Sequence, residues 1–578
     1  MEVFTMKWVV DHNDGEPGIS ISMIEFNDGN KIDEIGKNDI VVFVGPNNVG
    51  KSQTLKDIYN SLADEPISIL KKIYPHKWGD VDKLKTLIRH VGNLVPESNQ
   101  YIVMGKYIDY ANIDYILRDP INGSSSIRNL FSCNLNTETR LSVCRPAEFI
   151  TRNDSKTHPI HYLAFDSDIR KKFSKYFDMA FNKYVVPNTG YGKEIPLVIL
   201  DNKIQPRTES FDDETERIEA YTNELMKYPM AHEQGDGVKS FIGILLYLIL
   251  DFYKIYLIDE PEAFLHPPQA KIMGRMIAEL TQGDKQVFIS THSEQLIHGL
   301  LDAAPDRVKI VRMTREKKKN SVFILNANTI ERVWNDPILK YSNILQGLFF
   351  KNVVLCESDS DCRFYSIIND FLQKEKGNYA DTFFTYSGGK QRIPVVMKAL
   401  SSLGVDTKVI VDIDVIDTRK VFQEVCAACQ INWNLISRDY DNIYDGIKRH
   451  SDTKMKPKEE ILAEINEITK QSSDAEYYSE DEVKQIKAML KRNSPWKMLK
   501  LHGKEAIPDD LLRQSFNHID GLTKENNLFI VPVGELESFV DVGKLHGPRW
   551  VDKVLEQYSD LNNQVYDNVK EFINLLQL

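Results

Sequence analysis

The stretch that decides the fold of the N-terminal half is Gly45-Pro46-Asn47-Asn48-Val49-Gly50-Lys51-Ser52. It has the spacing G-x-x-x-x-G-K-S, and it stands between an apolar run at 40–44, which predicts a buried strand, and a helical pattern that opens at 54–58. In that context the backbone N–H groups of the loop can surround a phosphate, and the start of the helix adds positive charge. We therefore expect an ATP site whose nucleotide-binding residues are Gly45, Asn47, Asn48, Gly50, Lys51 and Ser52.

Within that loop, Lys51 is expected to reach the β- and γ-phosphates and Ser52 to hold Mg²⁺. A second apolar run, 255–260, predicts a strand that ends in Asp259 and Glu260. Asp259 can bind the same Mg²⁺, and Glu260 can orient the attacking water. A third strand, predicted at 286–290, is followed by His292, which is in position to touch a γ-phosphate.

A third loop carries two glycines at the start of a predicted helix. Gln234-Gly235-Asp236-Gly237 precedes an apolar run at 241–250. A helix N-terminus with two glycines can bind an anion, so Gly235 and Gly237 are candidate nucleotide contacts. Asp236 between them is unusual for that role, and a plain loop with a helix cap is the alternative.

The second half carries carboxylates after two predicted strands. Glu357 follows the run 352–356, Asp361 lies where the next helix would begin, and Asp412 and Asp414 end the run 409–414. Because residues two apart on a strand face the same side, Asp412 and Asp414 are expected to point together. Adjacent parallel strands would then gather Glu357 with both at one sheet edge, where carboxylates suit Mg²⁺ or Mn²⁺. Solvated strand ends are the alternative.

Bulk properties limit the class of protein. The chain has 578 residues, of which 42% are apolar and 27% charged, so it is globular and too long for one domain. No apolar stretch is long enough to cross a membrane, and the N-terminus does not read as a signal peptide. Six cysteines fit a reducing cytoplasm, and Cys426-Ala-Ala-Cys429 lacks the second pair that a zinc site needs. The net charge of −12 argues against general coating of nucleic acid but allows a local basic groove.

Alternating strand and helix patterns predict an α/β fold in two domains. The first covers 1–347 and contains a large mixed insertion at about 61–230, which could serve dimerisation. The second covers 348–578 and contains a polar, mostly helical insertion at about 418–525. Strand signal returns at 528–533.

A basic run lies inside the second insertion, with Trp496 within it. Its members are Lys484, Lys487, Lys491, Arg492, Lys497, Lys500 and Lys504. Such a run can follow a nucleic-acid backbone, and a solvated helix face is an equal alternative.

The order of motifs in the first half resembles the ABC-type ATPases: phosphate loop, signature loop, Asp-Glu strand and His switch. The string Asp259-Glu260-Pro261-Glu262-Ala263-Phe264-Leu265-His266-Pro267 is the form found in the SMC, Rad50 and OLD branch. The resemblance implies a homo-oligomer in which two ATPase heads enclose ATP and each signature loop completes the partner's site. Here Gln234-Gly235-Asp236-Gly237 departs from the usual S-G-G-Q.

The second half resembles a Rossmann-like Toprim domain, in which a Glu follows the first strand and D-x-D a later one. Ser358 replaces the usual glycine after Glu357. An ABC-type ATPase followed by Toprim resembles the OLD (overcoming lysogenization defect) family. That resemblance implies that Glu535 and Glu537 hold a second metal and that a lysine stabilises charge at the scissile phosphate, with Lys553 preferred over Lys544.

The family resemblance implies an ATP-regulated, metal-dependent DNA endonuclease in anti-phage defence. Its partner would be a helicase, as in Gabija-type systems, or a retron reverse transcriptase with its DNA. The alternative is an ATPase scaffold or sensor whose Toprim domain binds nucleic acid without cutting. A topoisomerase or primase fits less well, because no zinc module or tyrosine-bearing cleavage domain is evident.

The phosphate loop and the Asp-Glu strand generate a first prediction. Lys51→Ala should abolish ATP binding, because the loop loses its only long cation. Glu260→Gln should bind ATP but hydrolyse it slowly, because the water loses its orienting base. Binding of a fluorescent ATP analogue and release of phosphate measure the two effects, and normal turnover in Glu260→Gln would contradict the assignment.

Overall fold

The structure is a computed structural model that describes residues 8–11, 15–96, 98–110, 113–120, 124–202, 214–316, 319–325, 343–450, 458–470, 477–490 and 496–578. The chain forms two compact units, Met1–Phe349 and Phe350–Leu578. The predicted boundary at 347/348 lies two residues from this division. We call the two parts unit 1 and unit 2.

Unit 1 contains seventeen described strands. In chain order they are β1 (Val9–Asp11), β2 (Gly18–Phe26), β3 (Lys31–Ile32), β4 (Ile40–Val44), β5 (Leu70–Trp78), β6 (Asn93–Val95), β7 (Gln100–Val103), β8 (Lys106–Asp109), β9 (Ser132–Leu135), β10 (Ala147–Glu148), β11 (Tyr184–Pro187), β12 (Glu194–Ile195), β13 (Leu197–Leu200), β14 (Ile255–Asp259), β15 (Gln286–Ser290), β16 (Val308–Glu316) and β17 (Lys319–Leu325).

Its described α-helices follow the same chain order. They are α1 (Lys51–Ser61), α2 (Val81–Val91), α3 (Ile113–Ile116), α4 (Ser124–Phe131), α5 (Thr137–Ser142), α6 (Pro159–Phe165), α7 (Ser167–Phe181), α8 (Glu214–Leu225), α9 (Asp236–Leu248), α10 (Pro267–Leu280) and α11 (Glu294–Ala303).

A six-stranded sheet is the centre of unit 1. Its order is β17-β16-β4-β15-β14-β9, and every neighbouring pair is parallel except the β16–β17 hairpin. β4 and β15 are buried along their whole length, as their continuous apolar sequences predict for a sheet covered on both faces. A second sheet has the order β1-β5-β2-β3.

The large insertion predicted at about 61–230 is not one separate element. β5 pairs with β2 in the second sheet, and β9 pairs with β14 in the central sheet. Only the parts between and after these strands lie outside the two main sheets. β9 is only four residues long, and β5 mixes apolar, basic and proline residues. Neither strand therefore has a clear alternating pattern from which it could be predicted.

Unit 2 contains four described strands in one parallel sheet. They are β18 (Asn352–Cys356), β19 (Thr382–Tyr386), β20 (Thr407–Val411) and β21 (Leu528–Ile530), in the order β19-β18-β20-β21. The described α-helices are α12 (Asp359–Glu375), α13 (Ile393–Ser402), α14 (Arg419–Ala428), α15 (Trp433–His450), α16 (Lys458–Lys470), α17 (Glu480–Leu490), α18 (Trp496–His502), α19 (Asp510–Glu525), α20 (Pro548–Gln557) and α21 (Asp567–Leu575). All described secondary-structure elements between β20 and β21 are thus helices, joined by turns and loops.

The core of unit 2 forms where α12, α20 and α21 cover one side of the sheet. Trp550 is fully buried against Phe364, and its indole N–H donates to the carbonyl of Val540 at 3.1 Å. The partner matters because an indole N–H is costly to bury without an acceptor. This core fixes the start of α12 and the segment before α20, which both carry predicted site residues.

All six cysteines are free and buried, including Cys426 and Cys429 on and just after α14. Among the residues that the structure describes, no helix is long and apolar enough to cross a membrane.

Candidate functional site

The phosphate-binding loop of unit 1 lies between β4 and α1, as its sequence predicts. Gly45 and Gly50 have φ angles of 140° and 96°, a region that only glycine adopts freely. A Cβ at Gly45 would lie 2.1 Å from the carbonyl oxygen of Met313, and one at Gly50 would lie 2.2 Å from Ile69 Cδ1. Neighbouring backbone and side chains therefore require both glycines.

Lys51 is folded back onto this loop. Its Nζ donates to the carbonyl oxygens of Gly45 and Pro46, each at 2.8 Å. Burial lowers the pKa of Lys51 to about 8, and the carboxylates of Glu260, Asp259 and Glu262 partly oppose that shift. Asn47, Asn48 and Ser52 are exposed, so the loop presents its polar groups outward while its cation is held against the loop's own carbonyls.

The carboxyl ends of β14 and β15 lie side by side next to β4. Asp259 is paired in register with Ser290, whose hydroxyl donates to Asp259 Oδ1. The amide of Glu260 donates to the carbonyl of Ser290 at 3.0 Å. Glu260 has a φ of 47°, a conformation rare for a non-glycine residue and common at functional turns.

His292 lies beside the predicted water-orienting residue. Its Nε2 is 3.6 Å from Glu260 Oε1. Burial, with the nearby Lys51 charge, lowers the pKa of His292 to about 4, and Asp259 opposes this. The ring is therefore neutral at physiological pH and can donate or accept a hydrogen bond at a phosphate.

Arg140 is a further residue at this edge that the sequence reading missed. It is fully buried on α5, and its guanidinium donates to the carbonyl of Asp259. Burial lowers its pKa, while Asp259, Glu262 and Glu260 oppose that shift. No motif surrounds Arg140, so its sequence context carried no signal.

The predicted signature loop stands at the start of α9. Gly235 is the N-cap of this helix, and Asp236 pairs with Lys239 at 2.7 Å. A Cβ at Gly237 would lie 2.4 Å from the carbonyl oxygen of Phe264, so the loop packs against the segment that follows Glu260.

In unit 2 the structure brings Glu357, Asp412 and Asp414 together. One oxygen from each lies within 4.8 Å of the others. The reason differs from the predicted one, because β20 ends at Val411 and both aspartates lie in a 3-10 turn that Asp412 caps. The turn, rather than strand alternation, makes their side chains converge, and the Asp412 amide donates to Glu357 Oε1 at 3.0 Å.

A second group consists of Glu535, Glu537 and His546, whose ligand atoms also lie within 4.8 Å of one another. Here too the predicted strand stops early, at Ile530, and a 3-10 turn over Leu536–Ser538 carries Glu537. His546 was not predicted, because the sequence offers only an isolated histidine in a loop. Its Nδ1 is 3.5 Å from Glu537 Oε1.

Asp361 lies in the first turn of α12 and is nine-tenths buried. It accepts the amide of Ser358 at 2.8 Å in a reciprocal helix cap. Burial raises the pKa of Asp361 to about 6, and Glu537 adds to this. Asp361 therefore has a structural role as a helix cap in addition to its predicted role as a metal ligand.

Lys500 joins the two groups of carboxylates. Its Nζ is 3.2 Å from Asp414 Oδ2, 3.2 Å from Glu535 Oε2 and 3.9 Å from Asp412 Oδ2. Burial alone would lower its pKa, but the carboxylates of Asp414, Asp412 and Glu535 outweigh this and raise it. The backbone of α18 packs closely against the segment after β21, since a Cβ on Gly534 would lie 2.1 Å from the Lys500 carbonyl oxygen. This packing holds the lysine in place.

A glycine-containing loop after β19 supplies another cation. The amides of Gly388 and Gly389 donate to the Glu357 carbonyl at 3.1 and 3.0 Å. Lys390 Nζ then contacts Asp414 Oδ1 and Asp417 Oδ1, both at 3.1 Å. The loop is thereby fastened to both sides of the first carboxylate group.

The two lysines that the family resemblance implied have exposed positions. Lys553 is about half exposed on α20, and its ion-pair partner is Glu556 at 4.0 Å. Lys544 is exposed. Among the described residues, Lys500 and Lys390 are the lysines that form ion pairs with the predicted metal ligands.

The residues of the basic run at 484–504 therefore have different surroundings in the structure. Trp496 is buried and packs on the ring of Tyr444, so it is not an exposed stacking surface. Lys500 turns inward to the carboxylates. Lys491 and Arg492 lie outside the described residues.

The electrostatics of unit 2 favour a cation. Burial and neighbouring negative charge raise the pKa values of Glu357 and Asp412, and burial raises that of Glu535. Each ionised carboxylate thus destabilises the others, which a multivalent cation would reverse. The donors are carboxylate oxygens with one imidazole, a set that fits Mg²⁺ and fits Mn²⁺ at least as well.

Comparison with known families supports an ATPase in unit 1. Residues 168–297 match the model of the AAA ATPase domain, a segment that contains Gly235, Gly237, Asp259, Glu260 and His292. The match does not include the phosphate-binding loop at 45–52, which precedes it in the chain, and it supports an ATPase domain in unit 1. No curated protein sequence matches the chain.

Several solved structures are similar over part of the chain. The SMC head domain from Thermotoga maritima is 12% identical, with a TM-score of 0.28, and covers 54% of this chain and 100% of its own. An Smc head domain derived from Pyrococcus furiosus, bound to the C-terminal domain of ScpA, is 11% identical, with a TM-score of 0.31, over 55% of this chain and 99% of its own. CbiO1 from Clostridium perfringens is 14% identical, with a TM-score of 0.26, over 55% and 92%.

The position of Lys500 gives a second prediction. Lys500→Ala should destabilise unit 2 in the presence of a chelator, by about 1–3 kcal/mol, because three carboxylates lose their shared cation. That range is below the value for a fully buried pair, since the Lys500 side chain is 39% exposed. Mn²⁺ should then raise the melting temperature of Lys500→Ala more than that of the parent.

Lys553→Ala is the matched control, because it removes the same charge from an exposed pair and should change stability little. Thermal unfolding with EDTA and with Mn²⁺ measures both variants. Equal melting temperatures for Lys500→Ala and the parent in EDTA would show that the lysine does not compensate the carboxylates.

Proposed function

We propose that the chain is an ATP-regulated, divalent-metal-dependent DNA endonuclease of the OLD type. In this proposal unit 1 is the ATPase head, and unit 2 is a Toprim nuclease domain with a helical insertion. The observation that carries the proposal is the convergence of two ligand groups, Glu357 with Asp412 and Asp414, and Glu535 with Glu537 and His546. The ATPase supplies regulation, because it lies in a separate compact unit.

The residues of unit 2 divide the work of phosphodiester cleavage. Glu357, Asp361, Asp412 and Asp414 would hold one ion, and Glu535, Glu537 and His546 a second. When bound, the ions would supply the charge that activates a water and stabilises the leaving oxygen of the phosphodiester. Lys500 contacts carboxylates of both groups, so its ammonium would stabilise charge on the scissile phosphate between them.

ATP would bind unit 1 through the loop at 45–52. Lys51 would exchange the carbonyls of Gly45 and Pro46 for the β- and γ-phosphates, and Ser52 and Asp259 would hold Mg²⁺. Glu260 would orient the attacking water, with His292 at the γ-phosphate. Binding of ATP would release Lys51 from its own loop, because the phosphates would replace both carbonyl acceptors.

We further propose that the chain acts as a homo-oligomer through its ATPase heads. The signature loop at Gly235 and Gly237 begins a helix of thirteen residues and would serve the ATP of a second copy. The residues in 61–230 that lie outside the main sheets could contribute to this contact. By resemblance to the OLD family, the setting is cytoplasmic anti-phage defence with a helicase or a retron reverse transcriptase as partner.

A second candidate is an ATPase scaffold or sensor whose second unit binds nucleic acid without cutting. One observation favours it: Lys500 and Lys390 form ion pairs with Asp414, and Lys500 also with Glu535. A site that is compensated by lysines needs an ion less than a purely acidic one. Calorimetric titration of Mn²⁺ separates the two, because the scaffold does not require tight binding of the ion.

The nuclease proposal predicts that Glu357→Ala and Asp412→Ala lose DNA cleavage and keep ATP binding. Removal of one ligand leaves the other carboxylates repelling around a poorly held ion. Plasmid nicking with Mg²⁺ or Mn²⁺, with and without ATP, measures cleavage, and the fluorescent ATP analogue measures binding. If both variants cut as well as the parent in a contaminant-free preparation, the scaffold takes the place of the nuclease.

The choice of lysine is tested in the same assay. Lys500→Ala should lower the cleavage rate by about 100-fold, the usual effect of losing a charge that stabilises the transition state, while Lys553→Ala and Lys544→Ala cut normally. Loss of cleavage in Lys553→Ala alone would restore the sequence-based preference and would remove Lys500 from the mechanism.

Assembly generates a separate prediction. ATP with Glu260→Gln should trap an oligomer, because slow hydrolysis keeps nucleotide between two heads. Light scattering should show at least two chains in the complex, and Gly235→Glu should weaken it, since a bulky acid would meet the phosphates while a Cβ at Gly235 has no atom within 4 Å. A strict monomer with ATP hydrolysis linear in protein concentration would rule out a shared site.

A further inference from the structure

The carboxylate of Glu262 ties the turn after β14 to the loop after β15. Glu262 Oε1 accepts the hydroxyl of Thr291 at 2.7 Å and the backbone amide of His292 at 2.8 Å. Two donors from consecutive residues thus converge on one oxygen atom. Glu262 stands two residues after Glu260, with Pro261 between them, so the linkage is short and stiff.

The second oxygen of Glu262 shows that burying this carboxylate costs free energy. Oε2 is buried and has no hydrogen-bond partner among the residues that the structure describes. A carboxylate that is desolvated on one side and bonded on the other is expensive to keep. Burial accordingly raises its pKa, although the two bonds oppose this. An uncharged residue would fill the space more cheaply, so the carboxylate serves the bonds that it makes.

Neighbouring contacts form a set of parallel ties across the same two strand ends. Asp259 accepts the Ser290 hydroxyl, Glu260 donates its amide to the Ser290 carbonyl, and Glu262 binds the two residues that follow. Of these ties, the one made by Glu262 acts directly on the backbone of His292. The imidazole Nε2 and Glu260 Oε1 are 3.6 Å apart, so a small rotation of that backbone would separate the two groups.

We infer that Glu262 is a positioning residue for ATP hydrolysis, which holds the His292 backbone so that the imidazole and Glu260 face the same γ-phosphate. Glu262 itself does not touch nucleotide in this role. It acts through Thr291 and His292, and its hydrogen-bond acceptor matters more than its charge. Catalytic groups must be held to within a fraction of an ångström, so loss of the tie reduces turnover rather than binding.

The experiment compares four variants of the full chain. Glu262→Ala removes both bonds of the tie, whereas Thr291→Val removes one of them and also the acceptor of the Ser293 amide. Glu262→Ala should lower kcat for ATP by about tenfold and Thr291→Val by less, while the Kd of a fluorescent ATP analogue changes less than about twofold in both. Glu262→Gln and Thr291→Ser restore an acceptor and a hydroxyl, and both should recover most of the parent's kcat.

A matched control is Glu294→Ala. This carboxylate stands in the first turn of the helix after His292 and pairs with His298 at 3.3 Å within that helix. Glu294 is the same residue type and is close in sequence, but it does not hold the loop, so the kcat of Glu294→Ala should equal that of the parent.

Hydrogen exchange at the His292 amide gives a readout that does not depend on turnover. Without nucleotide, exchange at this amide should be faster in Glu262→Ala and Thr291→Val than in the parent and in Glu294→Ala. Unchanged exchange in both loss variants overturns the inference, whether or not the parent hydrolyses ATP. A kcat in Glu262→Gln as low as that in Glu262→Ala also overturns it, because the charge would then be the active property. A rise in Kd without a fall in kcat would assign the contact to binding.

Discussion

Mutual repulsion among carboxylates at one sheet edge is the constraint on which unit 2 depends. Six acidic side chains, from three strand ends and one helix start, lie in or beside two ligand groups. Several are buried, so water cannot screen them, and their pKa values rise as a result. The fold tolerates this arrangement because Lys500 and Lys390 bring positive charge to the same edge. Both lysines come from loops and helices outside the strands, so the sheet alone cannot make the site.

In the ATPase unit, backbone packing rather than opposite charge constrains the site. Its phosphate-binding loop brings Gly45 and Gly50 so close to Met313 and Ile69 that no side chain fits. The loop therefore has one shape, and its only buried cation satisfies the loop's own carbonyls in the absence of nucleotide. Both units thus keep a lysine bonded internally at the point where the chemistry is proposed. In unit 1 the lysine is held by carbonyls, and in unit 2 by carboxylates.

Local patterns predicted local structure well. The strand at 40–44, the loop after it and the presence of the following helix were predicted from spacing alone, since each depends on residues close in sequence. The same holds for the strands that end in Asp259 and in Cys356. The helix after the loop begins at Lys51, three residues before the predicted opening at 54. Asp412 and Asp414 were expected to converge and do, but the reason was wrong. A 3-10 turn brings them together after the strand has ended, and period-two alternation cannot distinguish the two cases.

Contacts between segments that are distant in the chain could not be predicted from the sequence. Lys500 lies in a basic run whose other members give no sign that one lysine points inward, and Arg140 lies in a stretch without any motif. β9 was assigned to an insertion because a four-residue strand has too little periodicity to detect. His546 is a lone histidine in a loop, which by itself is more often structural. Each of these residues gains its role from a partner far away in the chain, so only the folded arrangement reveals it.

The order of strands in unit 2 has a consequence for how the protein is made. β20 and β21 are neighbours in the sheet, yet the whole helical stretch lies between them in sequence. Closing such a long connection costs entropy before the pairing is rewarded, so this pair is expected to form late in folding. Glu535 and Glu537 follow β21, so the second ligand group does not reach the first until that step is complete. A partly folded chain therefore lacks the full set of ligands, and any cutting activity is withheld until the last strand has joined the sheet.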